Sequence, residues 1–456
     1  MALSFILITI DCLRFDRLGP VTVDASHSSL TPHINALARG GLSFSQISSG
    51  GCWTQATFPV LFTSTYPSMY NGCLGPLAPE RPNLVRILRA RGYHTMAVVS
   101  SPLLGRRYGY DQGFSTFEEL RPRRDAPQWY SCKGVQRLLR NRLFDRVLME
   151  AGIEIRPAPA YALADQVTNR ALDFIGSADR PYFLWLHYMD AHWPYHLDRK
   201  LRTAEQIACA WNDRYLARLA SRDRGSKHPG HDRLQRWTNL YDECITRIDD
   251  QLDRLLAHAE VRKDTPTCVV ITADHGEEFF EHGSFGHGAA SLYQEILHVP
   301  LIMSWPSAPR GRVVTSPGSL IDVAPTILDL AGESKPREML GESLLPMRGK
   351  NWSSGNRPTI AEGWWGPDSH VIAISAQGYK FIVNAAHRDN HELYDLRKDP
   401  GESDNLRCKA PDREQYFRDL LSRHLSTVRE TQRDRGAAPE TSAEILERLR
   451  ALGYVD

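Results

Sequence analysis

Carboxylate and imidazole side chains follow three segments of the sequence that are hydrophobic enough to be buried strands. Carboxylates and imidazoles together form an ordinary ligand set for a divalent metal ion. A single carboxylate at a strand end often caps the next helix, but three strands that end in this way favour a shared site. The side chains are Asp11 after residues 3–10, Asp190 and His192 after residues 182–187, and Asp274 and His275 after residues 267–272.

The elements that must position these residues alternate between strand and helix. Hydrophobic, β-rich runs such as 95–100 and 300–303 alternate with helical segments such as 31–38, where Thr31 is the predicted N-cap, and 162–175. This alternation predicts an α/β fold with a large, mainly parallel sheet sandwiched by helices. Ligands of such sheets bind at the carboxyl ends of the strands. We therefore expect the polar residues above to meet at one edge of the sheet.

The pattern changes near Gly341, which predicts two domains. After that point the strand-forming runs are short, as in a small antiparallel sheet. The predicted parts are a catalytic domain at 1–340 with polar insertions at about 121–157 and 197–236, and a C-terminal subdomain at 341–456 with strands at 370–375, 380–383 and 391–395 and a terminal helix at 442–452.

Charge and hydropathy argue against two classes of protein. Lys and Arg together number 55 and Asp and Glu 54, which gives a net charge of +1. Proteins that bind nucleic acid or acidic membranes usually carry a surplus of positive charge. The purest apolar runs, 5–10 and 96–99, are far shorter than the roughly 18 residues that span a bilayer. We expect neither a nucleic-acid partner nor a transmembrane segment.

The N-terminal run and the cysteines predict a cytoplasmic protein. Residues 3–10 lack the basic start and the small-residue cleavage site of a signal peptide, and they lead directly into Asp11. The eight cysteines are scattered, with no CxxC or zinc-finger spacing. This usage is typical of a reduced compartment.

Several motifs, in order along the chain, resemble the sulfatase-like branch of the alkaline phosphatase superfamily. The segment ITADHGEE, followed by EHG and GHG, is the most specific of them. The resemblance implies an alkaline phosphatase-like α/β fold. The matching segments are ITIDCLRFD at 8–16, TPHINALA at 31–38, ITADHGEE at 271–278, EHG at 281–283, GHG at 286–288, DVAPTIL at 322–328, ELYDL at 392–396 and DPGE at 399–402.

The resemblance implies one divalent metal ion held by Asp11, Asp274 and His275, with the nucleophile as a further ligand. A nitrogen ligand beside carboxylates favours Mn²⁺ or Zn²⁺, with Ca²⁺ or Mg²⁺ as alternatives. The family's nucleophile lies ten residues before the small residue that closes an LFTG-like segment. Here that segment is LFTS and ends at Ser64, so the count gives Thr54. Helix capping by Thr54 is the competing interpretation, and Thr57 is the fallback nucleophile.

The chain departs from true sulfatases at the nucleophile motif. In those enzymes the nucleophile is a cysteine in C-x-P-x-R that is oxidised to formylglycine. Here Cys52 stands two positions too early, and the proline and arginine are missing. Family branches with Thr at this position resemble phosphodiesterases, phosphonate ester hydrolases and phospho-group transferases. We expect Cys52 to be a small buried or lining residue.

Two further histidines are candidate catalytic residues. The resemblance makes His192 the acid that protonates the leaving oxygen, or a substrate ligand. It places His287 where relatives hold a residue that contacts the transferred group or a second metal. A second metal site formed by Asp190, His192 and His287 is an alternative, although one ion is favoured. We interpret His187, inside a strand, as a core histidine.

The cationic residues of a sulfatase site are missing from their usual places. The Lys and His of a K-x-x-H-like segment are replaced by Ser100-Ser101-Pro102-Leu103, and the sulfatase arginine by Phe58. The arginines of the first insertion could compensate, because Arg suits phosphate, but a solvated basic helix face is the favoured interpretation. These arginines are Arg121, Arg123, Arg124, Arg137, Arg140 and Arg142.

The sequence therefore predicts a metal-dependent hydrolase of phosphate or phosphonate esters that works through a covalent threonine intermediate. The substrate would be a small-molecule, lipid or sugar ester. Three alternatives stay open: a transferase that passes a phospho or sulfo group to another acceptor, a sulfuric ester hydrolase, and a non-catalytic binding protein. The residue types leave the oligomeric state undetermined.

Overall fold

The computed structural model describes most of the chain, and the structural statements below concern those residues. They are 2–19, 30–70, 72–73, 75–122, 161–178, 181–195, 228–261, 266–287, 291–345, 357–364 and 370–433. The predicted helix at 442–452 lies outside them, as do most of both predicted insertions and all of the candidate arginines except Arg121, which is exposed.

The described residues form strands and helices in the alternating order expected of an α/β protein. In chain order the strands are β1 (Ser4–Ile10), β2 (Leu42–Ser48), β3 (His94–Val99), β4 (Thr116–Glu119), β5 (Tyr182–Tyr188), β6 (Thr267–Ala273), β7 (Glu278–Phe279), β8 (Phe285–Gly286), β9 (His298–Ser304), β10 (Arg312–Val314), β11 (Gly318–Ser319), β12 (Thr359–Gly363), β13 (Val371–Ala376), β14 (Tyr379–Asn384) and β15 (His391–Asp395). The α-helices are α1 (Pro32–Arg39), α2 (Thr54–Thr63), α3 (Leu84–Ala90), α4 (Ala164–Ser177), α5 (His231–Val261), α6 (Gln294–Leu297), α7 (Val323–Leu330) and α8 (Pro411–Arg433).

The main sheet runs in the order β10-β2-β9-β6-β1-β5-β3-β4, and β11 also pairs with β2. Strand β1 lies at its centre, pairs in parallel with both β5 and β6, and is buried along its whole length. Such two-sided burial explains the continuous hydrophobic run at 4–10. The expectation of a large, mainly parallel sheet is confirmed. Strand β9 is the exception, because it runs antiparallel to both β2 and β6.

The C-terminal part forms the expected small antiparallel sheet, in the order β12-β13-β14-β15. Its strand β12 was not predicted. Apolar side chains of this sheet pack against α8 in a second hydrophobic cluster that includes Ile374, Phe381 and Phe417. No helix in the described part of the chain is both long enough and apolar enough to cross a membrane.

Helix α1 begins as predicted at Pro32, but Thr31 makes no side-chain cap bond. The carboxylate of Asp249, in the long helix α5, instead accepts hydrogen bonds from the backbone N–H groups of His33 (2.9 Å) and Ile34 (2.8 Å). Helix α5 begins at His231, inside the region predicted as the second insertion. Asp249 thus takes over the capping role that the local sequence had assigned to Thr31.

Candidate active site

The carboxyl ends of β1 and β6 bring Asp11 and Asp274 side by side. Ile10 is in register with Ala273, so the next residue of each strand is an aspartate at the same edge of the sheet. The backbone N–H of Cys12 donates to Oδ1 of Asp274 (3.3 Å), which ties the two strand ends together. Both aspartate side chains are fully buried. Two buried carboxylates this close repel each other unless one is protonated or a positive charge lies beside them.

His275 completes this group. Its Nδ1–H donates to the carbonyl of Gly276 (2.9 Å), so the lone pair is on Nε2. Nε2 lies 3.4 Å from Oδ2 of Asp274 and 3.7 Å from Oδ1 of Asp11. A Cβ on Gly276 would lie 1.9 Å from the carbonyl oxygen of Glu295, so only glycine permits this turn. The structure thus brings together the three metal ligands expected from the resemblance.

The polar atoms of this group fit a bound cation. Oδ2 of Asp11, Oδ2 of Asp274 and Nε2 of His275 are buried and make no hydrogen bond. Burial, followed by the charge of Asp11, raises the pKa of Asp274 to about 7. Burial also acts to raise the pKa of Asp11, but the imidazoles around it, His192 first, outweigh that effect and lower it. A divalent ion would satisfy all three atoms and offset the repulsion between the carboxylates.

His187 is buried, as expected of a core histidine, but it also faces the site. Its Nε2 lies 3.3 Å from Oδ2 of Asp11, an ion-pair distance without hydrogen-bond alignment. Its Nδ1 is 2.9 Å from Oγ1 of Thr9. The register of β1 and β5 pairs Thr9 with His187. His187 therefore places an imidazole nitrogen beside Asp11, a position that only the strand pairing reveals.

Thr54 begins helix α2, and Trp53 occupies the N-cap position. Oγ1 of Thr54 is buried and makes no hydrogen bond, so Thr54 does not cap the helix. Oγ1 of Thr57, the fallback nucleophile, is engaged: it is 3.1 Å from Oγ of Ser49 and donates to the carbonyl of Gly51 (3.2 Å). Of the two threonines, Thr54 is the one whose hydroxyl the fold leaves available.

The loop at 49–53, which leads into α2, is hydrogen-bonded to Asp274 and Leu297. Oγ of Ser49 donates to the carbonyl of Asp274 (2.5 Å), and its backbone N–H donates to the carbonyl of Leu297 (2.7 Å). A Cβ on Gly50 would lie 2.5 Å from the side chain of Val60. The loop therefore holds the start of α2 at a fixed position relative to Asp274.

The C-terminal sheet holds the same loop through Glu362. Its backbone N–H donates to the carbonyl of Gly50 (3.0 Å). Its buried carboxylate accepts from the backbone N–H (2.9 Å) and hydroxyl (2.5 Å) of Ser68 and lies 2.8 Å from Nε2 of His424. Burial acts to raise the pKa of Glu362, but His424, His370 and Ser68 lower it to about 2. Glu362 thus joins the C-terminal sheet to the loop at 49–53 through its backbone, and to Ser68 through its carboxylate.

His192 and His287 lie together beside the ligand group. Their ring centroids are 4.9 Å apart, and the ring of His287 is 4.3 Å from that of His275. Nδ1 of His287 lies 2.8 Å from Oε1 of Glu277, whose pKa burial raises to about 7. Burial, opposed by Asp11, lowers the pKa of His192. Both candidate catalytic histidines therefore line the site.

The structure adds Cys12, which the sequence analysis did not select. Its Sγ is 3.1 Å from Oδ1 of Asp11 and 3.4 Å from Nδ1 of His287. Burial, followed by Glu277, Asp11 and Asp274, raises the pKa of the thiol. The position directly after Asp11, with a side chain that can bind metals, was the signal available in the sequence.

Asp190 does not join His192 and His287. Its Oδ1 accepts from the backbone N–H of Ala164 at the start of α4 (3.2 Å), and burial raises its pKa to about 7. Among the described residues, the third potential metal ligand near these two histidines is Cys12. The side chain of Asp190 bonds to the start of a helix, and the alternative second metal site of Asp190, His192 and His287 does not form.

At the positions where sulfatases carry cations, this chain has uncharged side chains that contact other parts of the fold. Phe58 is buried and lies edge-on against His187, with ring centroids 5.2 Å apart. Oγ of Ser100 donates to the carbonyl of His187 (3.0 Å), and Oγ of Ser101 accepts from the backbone N–H of Leu103 (3.4 Å). Cys52 is buried, as expected.

Known structures share this fold over nearly the whole chain. BT4656, solved with its substrate D-glucosamine-2-N,6-O-disulfate, is 17% identical, with a TM-score of 0.69 over 96% of this chain and 100% of that one. The phosphonate monoester hydrolase of Agrobacterium radiobacter is 20% identical, with a TM-score of 0.69 over 94% of this chain and 96% of that one. At these identities the likeness shows the fold alone.

Sequence comparison shows the family. The uncharacterized sulfatase YidJ of Escherichia coli (strain K12) is 28% identical over 406 residues, which cover 82% of this chain and 78% of that protein. Residues 280–431 match the C-terminal region of N-sulphoglucosamine sulphohydrolase, and residues 4–333 match the sulfatase family. Members of this superfamily typically use a divalent metal ion. Because the match to the sulfatase family, at residues 4–333, covers more than half of the chain, this protein belongs to the sulfatase family of ester hydrolases.

Proposed function

We propose that this protein hydrolyses phosphate or phosphonate esters with Thr54 as a covalent nucleophile, and that Asp11, Asp274, His275 and Thr54 hold one divalent ion, with Mn²⁺ or Zn²⁺ favoured. The observation that carries the proposal is the hydroxyl of Thr54, which is buried and without a hydrogen bond. It stands at the start of a helix whose preceding loop is bonded to Asp274. A buried hydroxyl without a partner is unfavourable for stability, so a role in chemistry accounts for it.

The bound ion would supply positive charge that lowers the pKa of the Thr54 hydroxyl and neutralises the substrate anion. Thr54 loses its proton to solvent and attacks phosphorus, which forms a new P–O bond and breaks the bond to the leaving group. His192, whose Nδ1 bonds to the carbonyl of Trp193, takes up a proton at Nε2 from solvent and gives it to the leaving oxygen. It then takes a proton from the water that attacks the phospho-threonine, and the bond between phosphorus and Thr54 breaks. His287 contacts the transferred group, and Glu277 holds its ring.

The preference for phosphorus over sulfur rests on the charges around the site. Where sulfatases carry cations, this chain has Phe58, which packs against His187, and Ser100 and Ser101, which bond to backbone groups. A phosphodiester is a substrate that a metal ion and two histidines can bind without those cations. Sulfuric ester hydrolysis is the second candidate, because the family match is to sulfatases.

Turnover of Thr54 variants tests the mechanism. Thr54→Ala should lower kcat by roughly 10⁴-fold or more, as expected for loss of a covalent nucleophile. Thr54→Ser should keep part of the activity, since a metal can activate either hydroxyl. Thr57→Ala is the matched control and should keep turnover, because Oγ1 of Thr57 bonds within the loop. Full activity of Thr54→Ala would exclude the mechanism.

Substrate competition tests the ester class. A bis-aryl phosphate should show a higher kcat/KM than an aryl sulfate with the same leaving group. The reverse order would favour sulfuric ester hydrolysis. A phospho group found mainly on an added alcohol, and not on water, would favour the transferase. We further propose that the protein works on small-molecule, lipid or sugar esters in the cytoplasm.

A further inference from the structure

The cysteine next to Asp11 is held in an unusual backbone conformation. Cys12 has a φ of +62°, a region that residues other than glycine rarely adopt. Two hydrogen bonds maintain it: its N–H donates to Oδ1 of Asp274 (3.3 Å), and its carbonyl accepts from the hydroxyl of Tyr241 (2.7 Å). Strained residues of this kind are concentrated at functional sites. The strain here places a sulfur atom among the metal ligands.

The position of that sulfur matches the spacing of ligands on one ion. Two ligands bound to one zinc ion at about 2.0–2.3 Å lie about 2.8–3.8 Å apart, for bond angles between about 90° and the tetrahedral angle. Sγ of Cys12 is 3.1 Å from Oδ1 of Asp11, and Nε2 of His275 is 3.4 Å from Oδ2 of Asp274. Potential ligand atoms of Asp11, Cys12 and His275, all buried, lie within 4.8 Å of one another.

A second grouping of the same sulfur with His192 and His287 is less well formed. Nδ1 of His287, the nitrogen 3.4 Å from Sγ, also lies 2.8 Å from Oε1 of Glu277. Nδ1 of His192 hydrogen-bonds to the carbonyl of Trp193. In the first group the thiol of Cys12 also donates to Oδ1 of Asp11, but Asp11, Asp274 and His275 each have a buried atom there that makes no hydrogen bond.

We propose that Cys12 is a ligand of the ion held by Asp11, Asp274 and His275, and that its sulfur makes this site selective for Zn²⁺ over Mn²⁺, Mg²⁺ and Ca²⁺. Thiolate ligands favour zinc, whereas sites built from carboxylates and carbonyls suit Mg²⁺, Ca²⁺ and Mn²⁺. The inference deepens the proposed function, since it concerns the ion of the same site. It does not depend on which ester is hydrolysed or on Thr54 as the nucleophile.

Cobalt substitution of the purified full-length chain tests this directly. After removal of metal by a chelator, Co²⁺ should bind and produce a sulfur-to-cobalt charge-transfer band in the near ultraviolet that saturates at one ion per chain. Cys12→Ser should lose the band, and Cys244→Ser, a change at another buried cysteine, should keep it. Absence of the band from the wild type, or its survival in Cys12→Ser, would overturn the proposal. So would a band that appears only with a second equivalent of Co²⁺, because that would place the sulfur on another ion.

Metal affinity tests the selectivity. Cys12→Ser should weaken Zn²⁺ binding by more than the roughly 10–100-fold that loss of an outer-shell partner causes, and should change Mn²⁺ binding far less. Cys12→Asp, which restores an oxygen ligand, should bind one ion and shift the preference toward Mn²⁺. Equal losses for both ions in Cys12→Ser, together with an unchanged preference in a folded Cys12→Asp, would refute selectivity. Thr54→Ala should keep the band even while turnover is lost, so failure of the two proposals can be told apart.

Discussion

Removal of the buried Glu362–His424 pair should destabilise the fold in a way that depends on pH. The pKa of Glu362 falls from an ordinary value of 4.5 to about 2 in the folded chain. Since one pKa unit corresponds to about 1.36 kcal/mol, the ionised carboxylate contributes about 3 kcal/mol to the free energy of unfolding. The folded pKa is depressed, so this stability is present above pH 4.5 and is lost as pH falls toward 2. At pH 3 it should be about half as large.

The comparison is between the wild type and Glu362→Gln/His424→Gln, because removal of both partners leaves no uncompensated charge. Urea unfolding followed by tryptophan fluorescence at pH 6 and pH 3 gives the two free-energy differences. Glu338→Gln, a change at an exposed glutamate, is the control and should show no difference. A stability difference that is the same at pH 6 and pH 3 would refute the reasoning, since it would mean that Glu362 titrates alike in the folded and unfolded chain.

Three further predictions concern single groups. Cys52→Ala should keep activity within a few-fold of the wild type, whereas a formylglycine enzyme modified at Cys52 would lose all turnover. Asp190→Asn should gain stability relative to the wild type as pH rises from 4 to 8, because burial raises the pKa of Asp190 from 3.8 to about 7 and ionisation then disfavours the folded state. The upper estimate is about 4 kcal/mol, and equal urea midpoints for both proteins at both pH values would contradict it. Thiol titration of the denatured, unreduced chain should find eight free cysteines, and two or more disulfides would overturn the cytoplasmic assignment.

The sequence predicts the elements whose hydrophobic runs are long and bounded. Strands β1, β5 and β6 start or end within a residue of their expected positions, because burial on both faces leaves an unbroken apolar run. Strand direction is not encoded in such a run, so the antiparallel β9 emerges only from the pairing. The sequence analysis missed the short strand β12. Its sequence, TIAEG, contains a glutamate that is buried, whereas the alternation of apolar and polar residues in a strand predicts an exposed side chain there.

The residues of the candidate site also divide into those that the sequence predicts and those that it does not. Asp11, Asp274 and His275 follow strand ends, and the rule for parallel sheets brings them together. Cys12 was not assigned to the site because free cysteine is among the most often buried residue types, and His187 because it lies inside a hydrophobic strand. Their roles depend on a left-handed backbone at Cys12 and on the pairing of Thr9 with His187. Both are tertiary facts that local sequence does not contain.

The central place of β1 has a consequence for when the proposed metal site can form. Asp11 and Asp274 belong to adjacent strands but are 263 positions apart in the sequence. Closing so long a loop is entropically unfavourable, and contacts between distant segments form slowly. The two proposed ligands therefore come together only when β1 and β6 have paired. Uptake of the proposed ion during refolding should coincide with formation of the centre of the sheet, so metal binding would report on a late stage of folding.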